Sequence, residues 1–112
     1  MTVKELTSKA EFDALRSSTR FVILEAYATW NGDCRFISPV SAQSADNYTV
    51  PGTYVFARVD VDSVPELGAE LEISLLPAFF PYKNCEIADG IVGSKHERIE
   101  ELVKAISSEA RA

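Results

Sequence analysis

Phe21-Val22-Ile23-Leu24-Glu25-Ala26-Tyr27 is apolar at six of seven positions and runs straight into a turn, Ala28-Thr29-Trp30-Asn31-Gly32-Asp33. An apolar run without alternation suits a strand covered on both faces, and such strands belong to sheets sandwiched between helices. Beyond the turn the pattern predicts a helix from about Asp33 to Ala45, bent near Pro39 where one backbone bond is lost. A strand ending at a helix start leaves backbone N–H groups without partners, beside the positive end of the helix dipole. That junction, which holds Cys34, is a good place for chemistry.

The rest of the chain repeats the alternation. Val3-Lys4-Glu5-Leu6 predicts an edge strand, and Ser8-Lys9-Ala10-Glu11 reads as a capping box ahead of a helix with Phe12 and Leu15 on one face. Pro51-Gly52 marks a turn before Tyr54-Val55-Phe56-Ala57-Arg58-Val59-Asp60-Val61, a strand rich in branched and aromatic residues. Ser63-Val64-Pro65-Glu66 is a second capping box, opening a short helix with Leu67 and Leu71. Leu75 to Tyr82 predicts a strand, Lys83-Asn84-Cys85-Glu86 a hairpin turn, and Ile87 to Val92 a returning strand. Pro81 cannot donate to a ladder, so a bulge or an early strand end is expected there. Ser94-Lys95-His96-Glu97 is a third capping box, before Ile99, Leu102, Val103 and Ile106 at helical spacing. The order is βαβαβαββα: an α/β chain with a central mixed sheet of about five strands flanked by four helices, taken as one domain over residues 1–112.

Composition narrows the function classes. A net charge of −6 argues against nucleic acid as a partner. No apolar run approaches the ~20 residues of a membrane span. The start, Met1-Thr2-Val3-Lys4-Glu5, lacks a signal peptide's apolar stretch, so a cytoplasmic location is expected and the Asn47-Tyr48-Thr49 sequon is read as chance. Two cysteines in a reducing compartment are more often free or catalytic than bridged. His96 has no second ligand at metal-binding spacing, and no metal or other cofactor is expected.

Trp30, Gly32, Cys34 and Pro39 match the Trp-Cys-Gly-Pro-Cys motif and the following helix proline of the thioredoxin family. Val59-Asp60-Val61-Asp62, Leu76-Pro77, Tyr82-Lys83-Asn84 and Val92-Gly93 also fall at family-like positions, so the chain resembles a thioredoxin over nearly its whole length. The resemblance implies the thioredoxin fold and a place in cell redox homeostasis. It also marks a departure: Asn31 stands where the family has its attacking Cys, and Asp33 where it has Pro. Cys34 holds the resolving position. Disulfide exchange needs an attacking thiolate and then a second thiol to release product, so the two-thiol cycle is not expected. The helix start lowers the Cys34 pKa, while Asp33 and burial raise it, and the second pair is expected to win. A packing residue and a catalytic thiol are the two readings of Cys34.

Further implications of the resemblance concern neighbouring residues. Glu25 matches the family's buried acid, and a buried Glu25–Arg58 pair is one expectation, a carboxylate reaching solvent the other. Pro77 matches the family's cis-proline, with Leu76 before it offering backbone groups to an extended client. Trp30, Gly32, Asp33, Leu76, Pro77, Val92 and Gly93 would then line a shallow groove, in which backbone pairing captures a peptide without a thiol. Cys85 replaces the Gly usual in this hairpin and sits too far along its strand to bridge Cys34. An exposed Cys85 could still cross-link two chains, otherwise a monomer or weak dimer. The expected function is a redox-deficient binder of client or partner proteins. The alternative is a one-thiol oxidoreductase forming mixed disulfides through Cys34, with glutathione as a candidate partner. A thioredoxin whose first Cys was replaced by engineering is a third reading, against which Asp33, Cys85 and Pro81 count as further departures.

Overall fold

The computed structural model describes residues 3–112. In chain order it contains β1 (Val3–Leu6), α1 (Lys9–Ser18), β2 (Phe21–Tyr27), α2 (Gly32–Tyr48), β3 (Tyr54–Asp60), α3 (Pro65–Glu70), β4 (Ala78–Lys83), β5 (Glu86–Ile87), β6 (Ile91–Val92) and α4 (His96–Arg111). The strands form one sheet in the order β1-β3-β2-β4-β5, with β6 also on β4. β1, β3 and β2 run parallel, β4 is antiparallel to β2, and β5 and β6 are antiparallel to β4.

Period-two alternation sends each strand's side chains into two cores. Val22, Leu24 and Ala26 of β2 join Ala57 and Val59 of β3 under Phe12 of α1 and Leu67 of α3. Phe21 and Ile23 join Tyr54, Phe56 and Phe79 under Ile37 of α2 and Ile99, Val103 and Ile106 of α4. The Tyr54 hydroxyl donates to the Val103 carbonyl at 3.0 Å, which satisfies the one polar atom of a fully buried ring. β2 is buried at every position but the last, as its composition predicts.

The expected strand from Ile87 to Val92 divides in two. Tyr82 and Phe79 are three residues apart on β4, but their partners Ile87 and Ile91 are four apart, so one extra residue bulges between β5 and β6. Gly90 is needed there, because a Cβ would lie 2.6 Å from the Phe79 carbonyl oxygen. The irregularity expected at Pro81 thus falls on the facing strand. β4 itself continues through Pro81, which pairs with Ile23 and accepts a 2.8 Å bond from the Ala88 N–H.

Only one of the three capping boxes is made by its serine. Ser8 accepts from the Glu11 N–H at 3.1 Å, and the Glu11 carboxylate accepts from the Thr7 N–H at 2.6 Å. α3 and α4 begin one residue later than the pattern implies, with Val64 and Lys95 as caps and no side-chain cap bond. At α3 the Asp60 carbonyl takes the Ser63 and Val64 N–H groups instead, so the serine is displaced from the capping position.

Asn84 and Cys85 form the two-residue turn between β4 and β5, both with positive φ, 52° and 73°. Two left-handed residues are what a type I′ hairpin requires. Cys85 therefore occupies backbone that favours glycine, at an exposed thiol.

Candidate functional site

The register places three loops at one end of the sheet. Tyr27 at the end of β2 pairs with Asp60 at the end of β3, and Ala26 pairs with Ala78 at the start of β4. Loops 28–31, 61–64 and 72–77 must therefore meet beside the start of α2. Cys85 belongs to the other end, next to Lys83, which pairs with Phe21. The length of β2, at ~3.3 Å per residue, separates the two cysteines by roughly 20 Å, and both are free.

α2 begins at Gly32, one residue before the predicted Asp33, and extends to Tyr48. Asn31 is its N-cap, the side-chain oxygen accepting from the Cys34 N–H at 3.0 Å. The amide thus satisfies one of the unpaired donors of the first turn. Cys34 is buried in that turn, 2% exposed. Burial pushes its thiol above the usual range, with the Glu25 and Asp33 charges acting the same way; the Ala28 backbone and Arg58 act against them. Asp33, Gly32 and Trp30 are exposed around it.

Glu25 faces the α2 side of β2, 1% exposed. It does not reach solvent, and it does not form the expected ion pair with Arg58. The two are register partners on adjacent strands, but so are Arg58 and Glu5 on β1. Arg58 is engaged elsewhere: its guanidinium lies 3.8 Å over the Tyr27 ring and its Nε 3.8 Å from Glu5 Oε1. Stacking and a half-exposed carboxylate suit a guanidinium better than full desolvation against a buried acid. Ser41, beside Glu25, donates to the Ile37 carbonyl at 3.2 Å, and Glu25 Oε2 is left without a hydrogen bond. Burial raises the Glu25 pKa from 4.5 to about 7, a rise the Arg58 charge and the Ser41 hydroxyl offset only in part.

A match to known proteins bears on this geometry. Residues 2–107 fit the family model for thioredoxin. The chain belongs to the thioredoxin family. Thioredoxin-1 of Schizosaccharomyces pombe is 34% identical over 103 residues, covering 92% of this chain and 97% of that protein. Thioredoxin 1 of Plasmodium falciparum is 35% identical over 102 residues, 91% of this chain and 95% of that protein. A solved Plasmodium falciparum thioredoxin superposes with a TM-score of 0.85 at 33% identity over 91% of this chain and 97% of that one. The fold is therefore the thioredoxin fold.

In this thioredoxin-family chain the Leu76–Pro77 peptide is cis, and the Pro77 carbonyl accepts from the Gly93 N–H at 2.8 Å. That bond, with the Ala78–Val92 pairing, brings Leu76, Pro77, Val92 and Gly93 together. Apolar surface is left open at this end of the sheet: Trp30 is 65%, Leu75 66% and Val92 49% exposed. The Trp30 indole N–H donates to Asp62 Oδ2 at 2.9 Å, and the Asp62 N–H donates to Asp60 Oδ1 at 2.9 Å.

Leu75, Arg35 and Tyr27 belong to this neighbourhood but are not marked by the sequence as site residues, and Asp62 is marked only by its family-like position. Their signal is positional: β2 and β3 are parallel neighbours, so the loops that follow them share one end. No helix is long and apolar enough to cross a membrane among the described residues.

Proposed function

We propose that this thioredoxin-family protein is redox-deficient in the two-thiol sense and acts by binding client or partner proteins through the surface around Trp30, Gly32, Asp33, Leu76, Pro77, Val92 and Gly93. The observation that carries the reading is the Asn31 cap. At the position that resembles the family's attacking cysteine, an amide oxygen is committed to the Cys34 N–H. The one thiol nearby is buried with a raised pKa. Exposed Trp30, Leu75 and Val92 supply apolar contact, and an extended segment could add backbone bonds at Leu76. The whole chain acts as one domain, in the reducing cytoplasm.

A second reading keeps one-thiol exchange, with glutathione as the small thiol. It is favoured by an open cleft of about 310 Å³ that reaches Cys34. A protein-disulfide reduction assay with an excess of small-thiol reductant separates the two. The binding reading expects no turnover above reductant alone, and partner capture that survives Cys34→Ser. Turnover abolished by Cys34→Ser would overturn it in favour of one-thiol exchange. Asn31→Cys is expected to restore measurable turnover, a reading supported by the superposition of the chain on a solved thioredoxin with a TM-score of 0.85.

A further inference from the structure

A cleft of about 310 Å³ lies between β2, β3 and the first turns of α2, and its walls include Tyr27, Thr29, Cys34, Arg35, Ser38 and Arg58. None of Trp30, Gly32, Asp33, Leu76, Pro77, Val92 and Gly93 lines it; it is the cleft that reaches Cys34. The chain carries a net charge of −6, yet two guanidinium groups line this cleft and no carboxylate does. Its volume falls at the low end of the ~300–1,000 Å³ typical of small-molecule sites. We propose that the cleft binds a small molecule through a carboxylate, sulfate or phosphate group held between Arg35 and Arg58.

Both arginines are placed and neither is used up. Arg35 Nη1 donates to the Thr29 carbonyl at 3.2 Å, which ties the side chain to the cleft wall and leaves its other donors free to an oxyanion. Arg58 is held by its stack on Tyr27. Its nearest carboxylate, Glu5, stands at 3.8 Å, beyond hydrogen-bond reach, and its buried Nε donates to nothing among the described residues. Glu5 is itself engaged by the Tyr27 hydroxyl, which donates to its carboxylate at 2.9 Å. No hydrogen bond from the Arg58 guanidinium is made among the described residues, and a guanidinium's planar set of donors suits two oxygens of one anion.

The site is coupled to Glu25. A cavity of about 10 Å³, roughly the room of one water, lies between Glu25, Ser41 and Arg58, so Arg58 borders both this cavity and the open cleft. The charged and titratable groups around the two are Glu5 from β1, Glu25 and Tyr27 from β2, Asp60 from β3, and Asp33, Cys34 and Arg35 from α2. Tyr27 and Cys34 are both raised and stay protonated at pH 8. The Glu25 carboxyl, raised by burial to about 7, shares the small cavity with Arg58, so its ionised form competes with a bound anion for the guanidinium. Anion binding is therefore tighter at pH 6.

Sulfate is a suitable probe because it does not titrate in this range. Titration of the full chain with sulfate, at constant ionic strength made up with chloride, would be followed by backbone NMR of Ala28, Thr29 and Arg35 and by the Arg58 Nε–H signal. The expected result is a saturable shift at these positions, several-fold weaker in affinity at pH 8 than at pH 6, and lost in Arg35→Gln. Arg58→Gln should abolish it too; should that variant not fold, the exposed Arg35→Gln decides alone. Shifts that match chloride alone, or that persist in Arg35→Gln, would overturn the site. Equal affinity at both pH values would overturn its coupling to Glu25.

Discussion

Glu25→Gln should flatten the dependence of stability on pH. Burial raises the Glu25 carboxyl from its ordinary 4.5 to about 7 in the fold. An acid with a raised folded pKa binds its proton more tightly in the native state than in the unfolded chain. Its contribution to stability is fully present below pH 4.5, falls as pH rises toward 7, and is constant above that. The difference of about 2.5 pH units corresponds to ~3 kcal/mol. Gln keeps the shape and cannot ionise, so the native chain should lose ~3 kcal/mol relative to the variant between pH 4.5 and 8. Urea unfolding followed by tryptophan fluorescence at constant ionic strength checks it. With a slope of about 1–3 kcal/mol per molar urea, the gap between midpoints should widen by ~1 M or more over that range. Glu11 and Asp13, whose pKa values are lowered, titrate in both proteins and cancel in the difference. Parallel midpoint curves for the two proteins from pH 5 to 8 would mean that Glu25 is solvated or already paired, against its burial without a hydrogen bond to Oε2.

Asn31→Ala removes the cap on the Cys34 N–H and should destabilise the fold by ~1 kcal/mol, read as a lower urea midpoint with unchanged slope. Cys85→Gly relieves a left-handed residue at φ 73° and should stabilise by about 1 kcal/mol, seen as a higher melting temperature under reducing conditions. Gly90→Ala forces a methyl group against the Phe79 carbonyl oxygen and should destabilise by ~1–3 kcal/mol, with the loss of amide protection centred on β6.

Much of the fold was legible because burial on both faces leaves a compositional mark. Phe21 to Tyr27 and Tyr54 to Asp60 read as strands at nearly their observed bounds, and the last helix declared itself by the spacing of Ile99, Val103 and Ile106. Local backbone bookkeeping was less legible. Ser63 and Ser94 fit a capping pattern that the chain does not use, because the preceding strand and loop set where each helix can start. The bulge opposite Pro81 depends on the register of a facing strand, which no single segment encodes.

The candidate site divides in the same way. Residue identities alone set the chemistry on hand: an Asn in place of a thiol, one Cys at a helix start, an acid in a buried strand and an X-Pro bond before the next one. How these groups are paired depends on the packing of the sheet. Glu5 and Glu25 flank Arg58 on either side in the sheet register, and position along the chain cannot say which one it prefers. The preference follows from desolvation: a guanidinium stacked on Tyr27 beside a half-exposed carboxylate keeps part of its hydration, and a fully buried Glu25 can instead remain protonated.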